Sequence, residues 1–460
     1  MSSASGIASP ANFLPWQIQI SVRLKPKGVH GASTGELESV KKHIKGWDTE
    51  AGVVTLGGCP QDPRHFEYPT RVLPPETSQQ HVFDAVMPEL LDKFVNGYDV
   101  NFMAFGQTGS GKTHTMFGPP GSMARVKVAA LEPEHGVFLR AGLHALQLLK
   151  AREQEGLAKF HLCGSMVELH FEMPQDLLNN KKQCNIDDDG RLQGAVILPI
   201  TIPEDVVTLA SAVESRTTDV TLMNDTSSRS QCLTVLTLTQ LDLSTDSVTT
   251  THFNFFDLMG SERSKGANSA HDERVNNKET LSGAEAIMSN LSLHHMRICV
   301  QEVHEKNTRR GSQKNLQRAQ SAKGLQGGSS EGAWCSYRAM RLTKVMGGSF
   351  TGASLTAMML TLSQEQRNGG EVYETLCYGE DMQKLRTQVT RQPSPKYAKL
   401  LEKATKELEA SKAALAHLQR TGGGGGKSGL AGPSGGYQVI RQAQIERWSQ
   451  VLEVLRKLRP

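Results

Sequence analysis

The chain contains, at residues 106–113, the stretch Gly106-Gln107-Thr108-Gly109-Ser110-Gly111-Lys112-Thr113. It fits without a mismatch the phosphate-loop pattern of a glycine, any four residues and then Gly-Lys-Thr. Glycines let backbone N–H groups turn toward phosphate oxygens, a lysine brings positive charge to the outer phosphates, and a threonine hydroxyl can bind Mg²⁺. The stretch therefore predicts a binding site for a nucleoside triphosphate with Mg²⁺.

The segments around this loop predict a covered sheet. Residues 100–105 are apolar and predict a buried strand entering the loop, and residues 114–116 start a helix leaving it. Upstream, residues 17–26 alternate polar and apolar like a strand, and residues 80–97 have helical spacing despite Pro88. This order indicates an α/β fold with a central, mostly parallel sheet flanked by helices.

Periodicity predicts further elements along the chain. We expect helices at residues 137–153, 203–216 and 373–386, and strands at 160–171, 232–238, 251–256 and 356–363. The acidic cluster at 187–190 lacks the ligand spacing of an EF-hand, so we interpret it as a solvated turn.

Composition narrows the class of protein. The chain has 460 residues, a net charge of +4 and no apolar run of membrane-spanning length, and its first residues lack the features of a secretory signal. The seven cysteines are scattered without a C-x-x-C pair, so neither a disulfide framework nor a zinc site is indicated. We expect a soluble intracellular protein, and the modest net charge points to no nucleic-acid partner.

Two later segments supply what a triphosphate site needs opposite its phosphate loop. Residues 224–231 read as a polar loop of hydroxyls with one arginine, which offers oxygens to Mg²⁺ and water. The apolar strand at 251–256 runs into Asp257-Leu258-Met259-Gly260, where the acid can hold Mg²⁺ through water and the glycine N–H can reach the terminal phosphate. Guanine specificity is disfavoured because the nearest match to Asn-Lys-x-Asp, at residues 277–280, lacks the aspartate.

With these segments in this order, the chain resembles the kinesin motor domain. The matching stretches are residues 22–26, 96–116, 224–230, 257–263, 289–293 and 337–343, and the likeness covers residues 13–392. The resemblance implies a P-loop NTPase fold of the kinesin type, followed by short C-terminal helices. It also implies ATP and Mg²⁺ as cofactors and microtubules as the partner.

The resemblance assigns roles to single residues. Nucleotide contacts would come from Arg23, Pro26, Gly106, Gln107, Thr108, Gly109, Ser110, Gly111, Lys112, Thr113 and His114, with Arg23, Pro26 and His114 on the adenine side. The catalytic residues would be Ser227, Ser228, Arg229, Asp257, Gly260 and Glu262, and the metal ligands would be Thr113 and Ser228, with Asp257 acting through water. A pair of Arg229 with Glu262 that forms only around a γ-phosphate would couple nucleotide state to loop position.

Several positions depart from the family pattern. Gln231 stands where kinesins usually have histidine, Met259 where they have alanine, and Lys25 where an arginine is expected. Residues 264–286 are longer than usual, and residues 168–172 lack the usual Tyr-Asn-Glu. The candidate catalytic residues are present, so we expect ATP hydrolysis. The alternative is a degenerate kinesin that acts as a structural microtubule- or axoneme-binding protein with little or no motility.

A basic stretch is the candidate microtubule contact. Between residues 297 and 323 basic residues outnumber acidic ones, and residues 307–332 are rich in Gly, Ser and Gln without apolar periodicity. Such a stretch suits an acidic polymer surface, and it lacks the aromatic residues that nucleic-acid stacking needs. The candidate contacts are Lys306, Arg309, Arg310, Lys314, Arg338, Arg341 and Lys344.

The sequence divides into a motor domain at 13–392, a neck-like linker with a short heptad helix at 393–420, a Gly/Ser-rich flexible linker at 421–436 and an amphipathic helix at 437–460. Residues 387–395 stand where a kinesin neck linker would, which resembles the plus-end-directed arrangement. The heptad seam at 396–420 fits either a weak homodimer or a single helix lying on another surface; its members are Leu401, Ala404, Leu408, Ser411, Leu415 and Leu418. We expect the last helix to bind a partner or dimerise rather than lie on a membrane.

These observations predict a microtubule-dependent ATPase motor in the cytoplasm and on the microtubule cytoskeleton, with a cilium or flagellum as a further location. A metabolic P-loop kinase is disfavoured because it would need neither the paired switch segments nor the basic stretch.

Overall fold

The computed structural model describes residues 13–25, 43–59, 62–68, 71–123, 131–170, 172–216, 219–221, 224–227, 230–260, 291–306, 336–365, 368–421 and 433–459. The strands are β1 (Phe13–Gln17), β2 (Gln19–Leu24), β3 (His43–Asp48), β4 (Val53–Gly57), β5 (Arg64–Glu67), β6 (Arg71–Leu73), β7 (Asp99–Phe105), β8 (Ala158–His170), β9 (Met173–Asp176), β10 (Lys182–Gln183), β11 (Asn185–Ile186), β12 (Leu192–Gln193), β13 (Leu198–Ile200), β14 (Asp219–Thr221), β15 (Asn224–Ser227), β16 (Gln231–Asp242), β17 (Ser247–Asp257), β18 (Ser354–Leu362) and β19 (Arg386–Thr390). The helices are α1 (Gln79–Val95), α2 (Lys112–Met116), α3 (Val137–Gln154), α4 (Pro203–Ser211), α5 (residues 291–306), α6 (Arg341–Val345), α7 (Gly347–Thr351), α8 (Gly369–Gln383), α9 (Tyr397–Thr421) and α10 (Pro433–Leu458).

The central sheet has a parallel half and an antiparallel half. Its strands follow the order β10, β9, β8, β16, β17, β7, β18, β2 and β6, with β13 paired to β8. All neighbours from β17 to β6 are parallel, whereas β16 is antiparallel to both β8 and β17. The α/β class is confirmed, and the parallel strands are those around the phosphate loop.

The two strands at the centre of the parallel half are almost wholly buried. Every residue of β18 is buried, and so is every residue of β7 after Asp99. Strands covered on both faces read as continuous apolar runs, which is the pattern seen in the sequence. Because β17, β7 and β18 run parallel, their carboxyl ends meet at one edge of the sheet. The phosphate loop leaves β7 at this edge.

Helices cover both faces of the sheet. One apolar core joins α1, α3 and α4 to the sheet, and a second joins α5 and α8 to the other face. The expected helix at 80–97 is α1; Ser78 caps it by accepting a hydrogen bond from the N–H of His81 at 3.2 Å, and Pro88 does not end it. Among the described residues, no helix has both the length and the apolarity needed to cross a bilayer.

The structure corrects two expectations. Residues 224–231 were expected as one polar loop, but Asn224–Ser227 form β15, which pairs antiparallel with β14, and Gln231 starts β16. Polar residues give no alternation signal, so only the pairing partner reveals this strand. The helix expected at 373–386 ends at Gln383, because Arg386 belongs to β19. The helix expected at 203–216 is α4, followed by a 3₁₀ turn at Ala212–Ser215.

The C-terminal helices fold back on the rest of the chain. β19 pairs antiparallel with β1, α9 and α10 pack against each other, and α10 also contacts β8 and β16. On the α9 seam Ala404 and Ser411 are buried, and the leucines are half-buried. Of the two explanations for the seam, a helix lying on another surface is the one this packing supports. A homodimer through residues 396–420 is not needed to cover it.

Candidate functional site

The phosphate loop lies against the end of β18. A Cβ on Gly106 would collide with the backbone carbonyl of Thr361 and with the hydroxyl of Ser110, so only glycine fits there. The Ser110 hydroxyl lies 2.7 Å from the Thr361 hydroxyl, which ties the middle of the loop to the same strand. By contrast, a Cβ on Gly109 or Gly111 would meet open space, and both have positive φ angles of 73° and 103°. Glycine is favoured at these two positions because of the positive φ angles, not because a side chain would collide with a neighbour.

Lys112 is folded inward onto its own loop. It is 7% exposed, and its ammonium donates to the carbonyl oxygens of Gly106 at 2.9 Å and Gln107 at 2.8 Å. The phosphate loop therefore wraps around the Lys112 side chain, which the motif assigns to the outer phosphates. Lys25 contacts the same loop from β2's end, because its ammonium donates to Gly109 O at 2.7 Å.

Thr113 and Asp257 join the loop to the end of β17. The Thr113 hydroxyl donates to Asp257 Oδ2 at 2.7 Å. Arg216 donates to the same oxygen through Nη1, and the side chains of Arg216 and Asp257 are only 4% and 1% exposed. Burial is the largest influence on the pKa of Arg216 and lowers it, but the charge and hydrogen bond of Asp257, together with Cys232 and Glu168, outweigh burial and hold that pKa above its ordinary value. The site thus contains a buried ion pair directly behind the candidate metal ligand.

Arg216 also reaches the first switch segment, the polar residues 224–231. Its Nη2 donates to the carbonyl oxygen of Ser230 at 2.8 Å, and the Ser230 hydroxyl donates to the carboxylate of Glu168. Glu168 is fully buried, with Lys181 Nζ 3.7 Å from its other oxygen. Arg216 was not predicted from the sequence. A single arginine after a helix belongs to no motif, and its partner, Asp257, is known only from the structure.

Two of the candidate adenine-side residues, Arg23 and His114, lie against Gln79. Arg23 donates to Gln79 Oε1 and to the Thr115 hydroxyl, both at 2.8 Å, and burial lowers the pKa of Arg23 to about 10. His114 Nδ1 lies 3.2 Å from Gln79 Nε2. Burial, with the nearby charges of Arg23 and Lys25, lowers the pKa of His114 to about 4, so this ring is neutral near pH 7. Gln79, at the start of α1, was not singled out from the sequence.

Several predicted site residues lie outside the described residues. These are Pro26, Ser228, Arg229 and Glu262, so the proposed closing pair of Arg229 and Glu262 has no described geometry. Ser227 is the last residue of β15, and Gly260 is buried three positions after Asp257. Two of the departures from the family pattern are buried: Gln231 begins β16, and Met259 packs in the second apolar core.

The donor set fits Mg²⁺ bound together with phosphates. Thr113 supplies a hydroxyl oxygen and Asp257 a carboxylate, which are the hard oxygen ligands that Mg²⁺ prefers. Asp257 Oδ1 is buried and has no hydrogen-bond partner among the described residues, which leaves an acceptor for a water of the ion's shell. No group of three His, Cys, Asp or Glu side chains in the described part of the chain could hold a metal by itself. An ion here would depend on phosphate oxygens and water, as Mg²⁺ usually does at nucleotides.

The candidate microtubule contacts differ in the contacts that their side chains make within the protein. Lys306 ends α5, and Arg309, Arg310 and Lys314 lie outside the described residues. Arg338 is exposed, with its guanidinium 5.6 Å from the ring of Tyr337. Arg341 donates to the carbonyl oxygen of Glu172 at 2.8 Å, and Lys344 pairs with Asp188 at 2.9 Å. The predicted turn at 187–190 is confirmed, and its residue Asp188 forms the ion pair with Lys344.

Parallel strands that end at a glycine-rich loop, with an acid at the end of the neighbouring strand, define a P-loop nucleoside triphosphatase fold. The sequence model of the kinesin motor domain matches residues 38–385. The chain therefore belongs to the kinesin motor domain family.

Curated relatives are longer kinesins. Kinesin-like protein KIN-14P of Arabidopsis thaliana is 34% identical over 210 residues, which cover 44% of this chain and 19% of the relative. Kinesin-like protein KIN-14G of the same plant is 25% identical over 454 residues, covering 94% of this chain and 39% of the relative. Chromosome-associated kinesin KIF4A of Homo sapiens is 28% identical over 340 residues, which cover 72% of this chain and 24% of the relative. The chain thus spans well under half the length of these relatives.

Solved structures share the fold. A structure of KIF14 residues 391–772, described as a dimer in the two-heads-bound state with AMP-PNP and in complex with a microtubule, has a TM-score of 0.63 at 23% identity, covering 82% of this chain and 97% of that one. The structure of a fast kinesin has a TM-score of 0.60 at 20% identity, and the match covers 82% of this chain and 94% of that one. At these identities the likeness shows the fold alone.

Proposed function

We propose that the chain is a microtubule-dependent motor that hydrolyses ATP with Mg²⁺ and couples hydrolysis to cycles of microtubule binding. The observation that carries the proposal is the Thr113–Asp257 hydrogen bond of 2.7 Å, because it joins the phosphate loop to the strand end that would sense the terminal phosphate. Family membership supports the same activity.

The residues have distinct tasks in this proposal. Lys112 would hold the outer phosphates, Thr113 would give Mg²⁺ a hydroxyl ligand, and Asp257 would hold a water of the ion's shell. When bound, Mg²⁺ would neutralise part of the negative charge on the phosphates. Arg216 holds the Asp257 side chain in place, and its contact with Ser230 O links that position to the first switch segment. Gly260 offers its N–H to the terminal phosphate.

The remaining roles are proposals from family resemblance. Ser227 and Ser228 supply hydroxyls near the metal and the attacking water, and Arg229 pairs with Glu262 to close the site. Residues 13–392 form the motor domain, and the segment after it is the neck-like linker. Tubulin is the proposed partner, contacted through Lys306, Arg338 and the basic stretch, and the microtubule cytoskeleton, including that of a cilium or flagellum, is the proposed location.

Steady-state ATP hydrolysis by the full chain, measured with and without polymerised microtubules, tests the proposal. Strong stimulation is the expected result. Tight microtubule binding without stimulated turnover would favour the structural, non-motile alternative instead. Failure to bind either ATP or microtubules would contradict both.

A further inference from the structure

The segment after α8 is held on the rest of the protein along its length. We call residues 386–396 the docked segment. Its first part, β19, pairs with β1 from Arg386 to Thr390. Beyond it, the N–H of Gln392 donates to Gly97 O at 2.7 Å, and its side-chain amide donates to Asp99 Oδ2 at 2.9 Å. These bonds continue the line of the strand toward the turn between β16 and β17.

The far end of the docked segment is fixed to that turn. The N–H of Val248 donates to Pro395 O at 2.8 Å, and the N–H of Tyr397 donates to Asp246 O at 3.0 Å. A hydroxyl contact of 2.6 Å between Ser394 and Thr249 lies beside them. Helix α9 therefore starts directly at the turn.

The last residues of α10 close over the same turn. Leu455 and Leu458 are buried with Leu241, Val248 and Tyr397 in a small apolar cluster, separate from the two cores of the sheet. The Tyr397 hydroxyl donates to the carbonyl oxygen of Leu455 at 3.0 Å. This bond links the first residue of α9 to the end of α10.

A charged contact adds to this cluster. Arg459 donates to Asp246 Oδ1 at 2.9 Å and lies 4.9 Å from the ring of Tyr397. Both partners of the ion pair are about half exposed, so it contributes little by itself. The apolar cluster is the main attachment of α10 to the turn.

We propose that α10 is a latch that keeps the docked segment on β1. Without α10, the far end of the docked segment would be held at the turn by its hydrogen bonds alone, and Tyr397 would lose its apolar contacts with Leu455 and Leu458. With α10 closed over the turn, both ends are fixed, so fewer conformations away from β1 are open to the segment and its effective concentration at β1 rises. The meaning of this latch for a motor cycle rests on the proposed function: the segment leaves β1 only after α10 has lifted from the turn.

Hydrogen–deuterium exchange of the full chain, without nucleotide or microtubules, tests the latch. Leu455→Asp puts a carboxylate into a cluster where the native side chain is 1% exposed, which should lift α10. The expected result is exchange at least about tenfold faster for the amides of both α10 and β19, with the amides of β18 unchanged. The matched control is Val439→Asp on the same helix, where the side chain is 69% exposed; it should leave β19 unchanged.

Two results would overturn the latch. One is unchanged exchange in β19 although α10 exchanges faster, and the other is an α10 that stays protected in Leu455→Asp. If β18 also exchanges faster, the core has been disturbed, and Leu458→Ala decides instead: it shortens one buried side chain of the cluster without adding a charge, and unchanged β19 exchange alongside faster α10 exchange there contradicts the latch. Because exchange requires no hydrolysis, a chain without ATPase activity would contradict the proposed function and leave this test intact.

Discussion

Thr113 Oγ1 lies 2.7 Å from Asp257 Oδ2, so the first turn of α2 and the last residue of β17 share a hydrogen bond. The same carboxylate oxygen accepts from Arg216. Asp257 Oδ2 therefore accepts one hydrogen bond from the phosphate loop and another from the residue that ends the 3₁₀ turn after α4. A ligand that recruits the Thr113 hydroxyl must change the surroundings of Asp257, and through Arg216 those of Ser230.

Lys112→Ala should lower ATP turnover by on the order of a hundredfold or more, because it removes the positive charge that the phosphate loop itself brings to the outer phosphates. Steady-state phosphate release measures it. Lys45→Ala is the control, since Lys45 pairs with Asp62 on the surface and both side chains are more than 40% exposed. Full-rate hydrolysis by Lys112→Ala would place the active site elsewhere.

Arg216→Met should lower the free energy of unfolding by about 3–5 kcal/mol, because it leaves the buried Asp257 carboxylate without its cation. Urea denaturation measures the loss. Arg297→Met removes a half-buried pair with Glu374 at 3.3 Å and should cost only about 0–1 kcal/mol. The double variant Arg216→Met, Asp257→Leu should recover part of the stability, and a loss in the double variant equal to the sum of the two single-variant losses would show that the pair is not coupled.

The free energy of unfolding should fall as pH drops below about 6.5, the ordinary pKa of histidine. His135 is fully buried; burial lowers its pKa, and its Nδ1 accepts from the N–H of Glu132 at 3.0 Å. In this range the unfolded chain binds more protons than the folded one, so stability is complete above pH 6.5 and is lost as pH falls toward the folded pKa.

Urea denaturation at a series of pH values checks this dependence. His135→Gln should give a shallower slope between pH 6.5 and 5, because one of the neutral buried imidazoles is gone. His114 and His161 also have lowered pKa values, chiefly through burial, and account for the slope that remains. An unchanged slope would assign the effect to these two residues alone.

Arg338→Ala and Arg341→Ala should have different effects. Arg338 is exposed, so its loss should weaken microtubule cosedimentation and leave the free energy of unfolding unchanged. Arg341 donates to Glu172 O at 2.8 Å, so its loss should reduce stability. Unchanged microtubule affinity in a folded Arg338→Ala variant would remove this residue from the interface.

The local parts of the site could be predicted from the sequence. The phosphate loop depends on residues next to each other in the chain, and Asp257 follows an apolar strand that periodicity reveals. The partner of Asp257 could not be found in this way, because Arg216 lies 41 positions earlier in the chain, after the 3₁₀ turn that follows α4, and only the tertiary fold brings the two side chains together. The same limit explains β15, whose polar residues become a strand only through β14.

Periodicity also found the apolar stripe on α9 without showing what covers it. Ala404 and Ser411 weaken a coiled-coil seam, and small residues are what close packing against another helix allows. The sequence left a second copy of the chain and another surface as alternatives, and the structure places α10 on α9. An apolar stripe identifies the face of a helix that is buried, not its partner.

The pairing of β1 with β19 places residue 13 beside residue 390. The two ends of the proposed motor domain, residues 13–392, therefore lie at the same corner of the molecule. A circularly permuted chain, with these ends joined by a short peptide and opened at another exposed loop, should keep the sheet intact. Fluorophores attached near these ends would lie close together, and their energy transfer would fall when the last strand detaches.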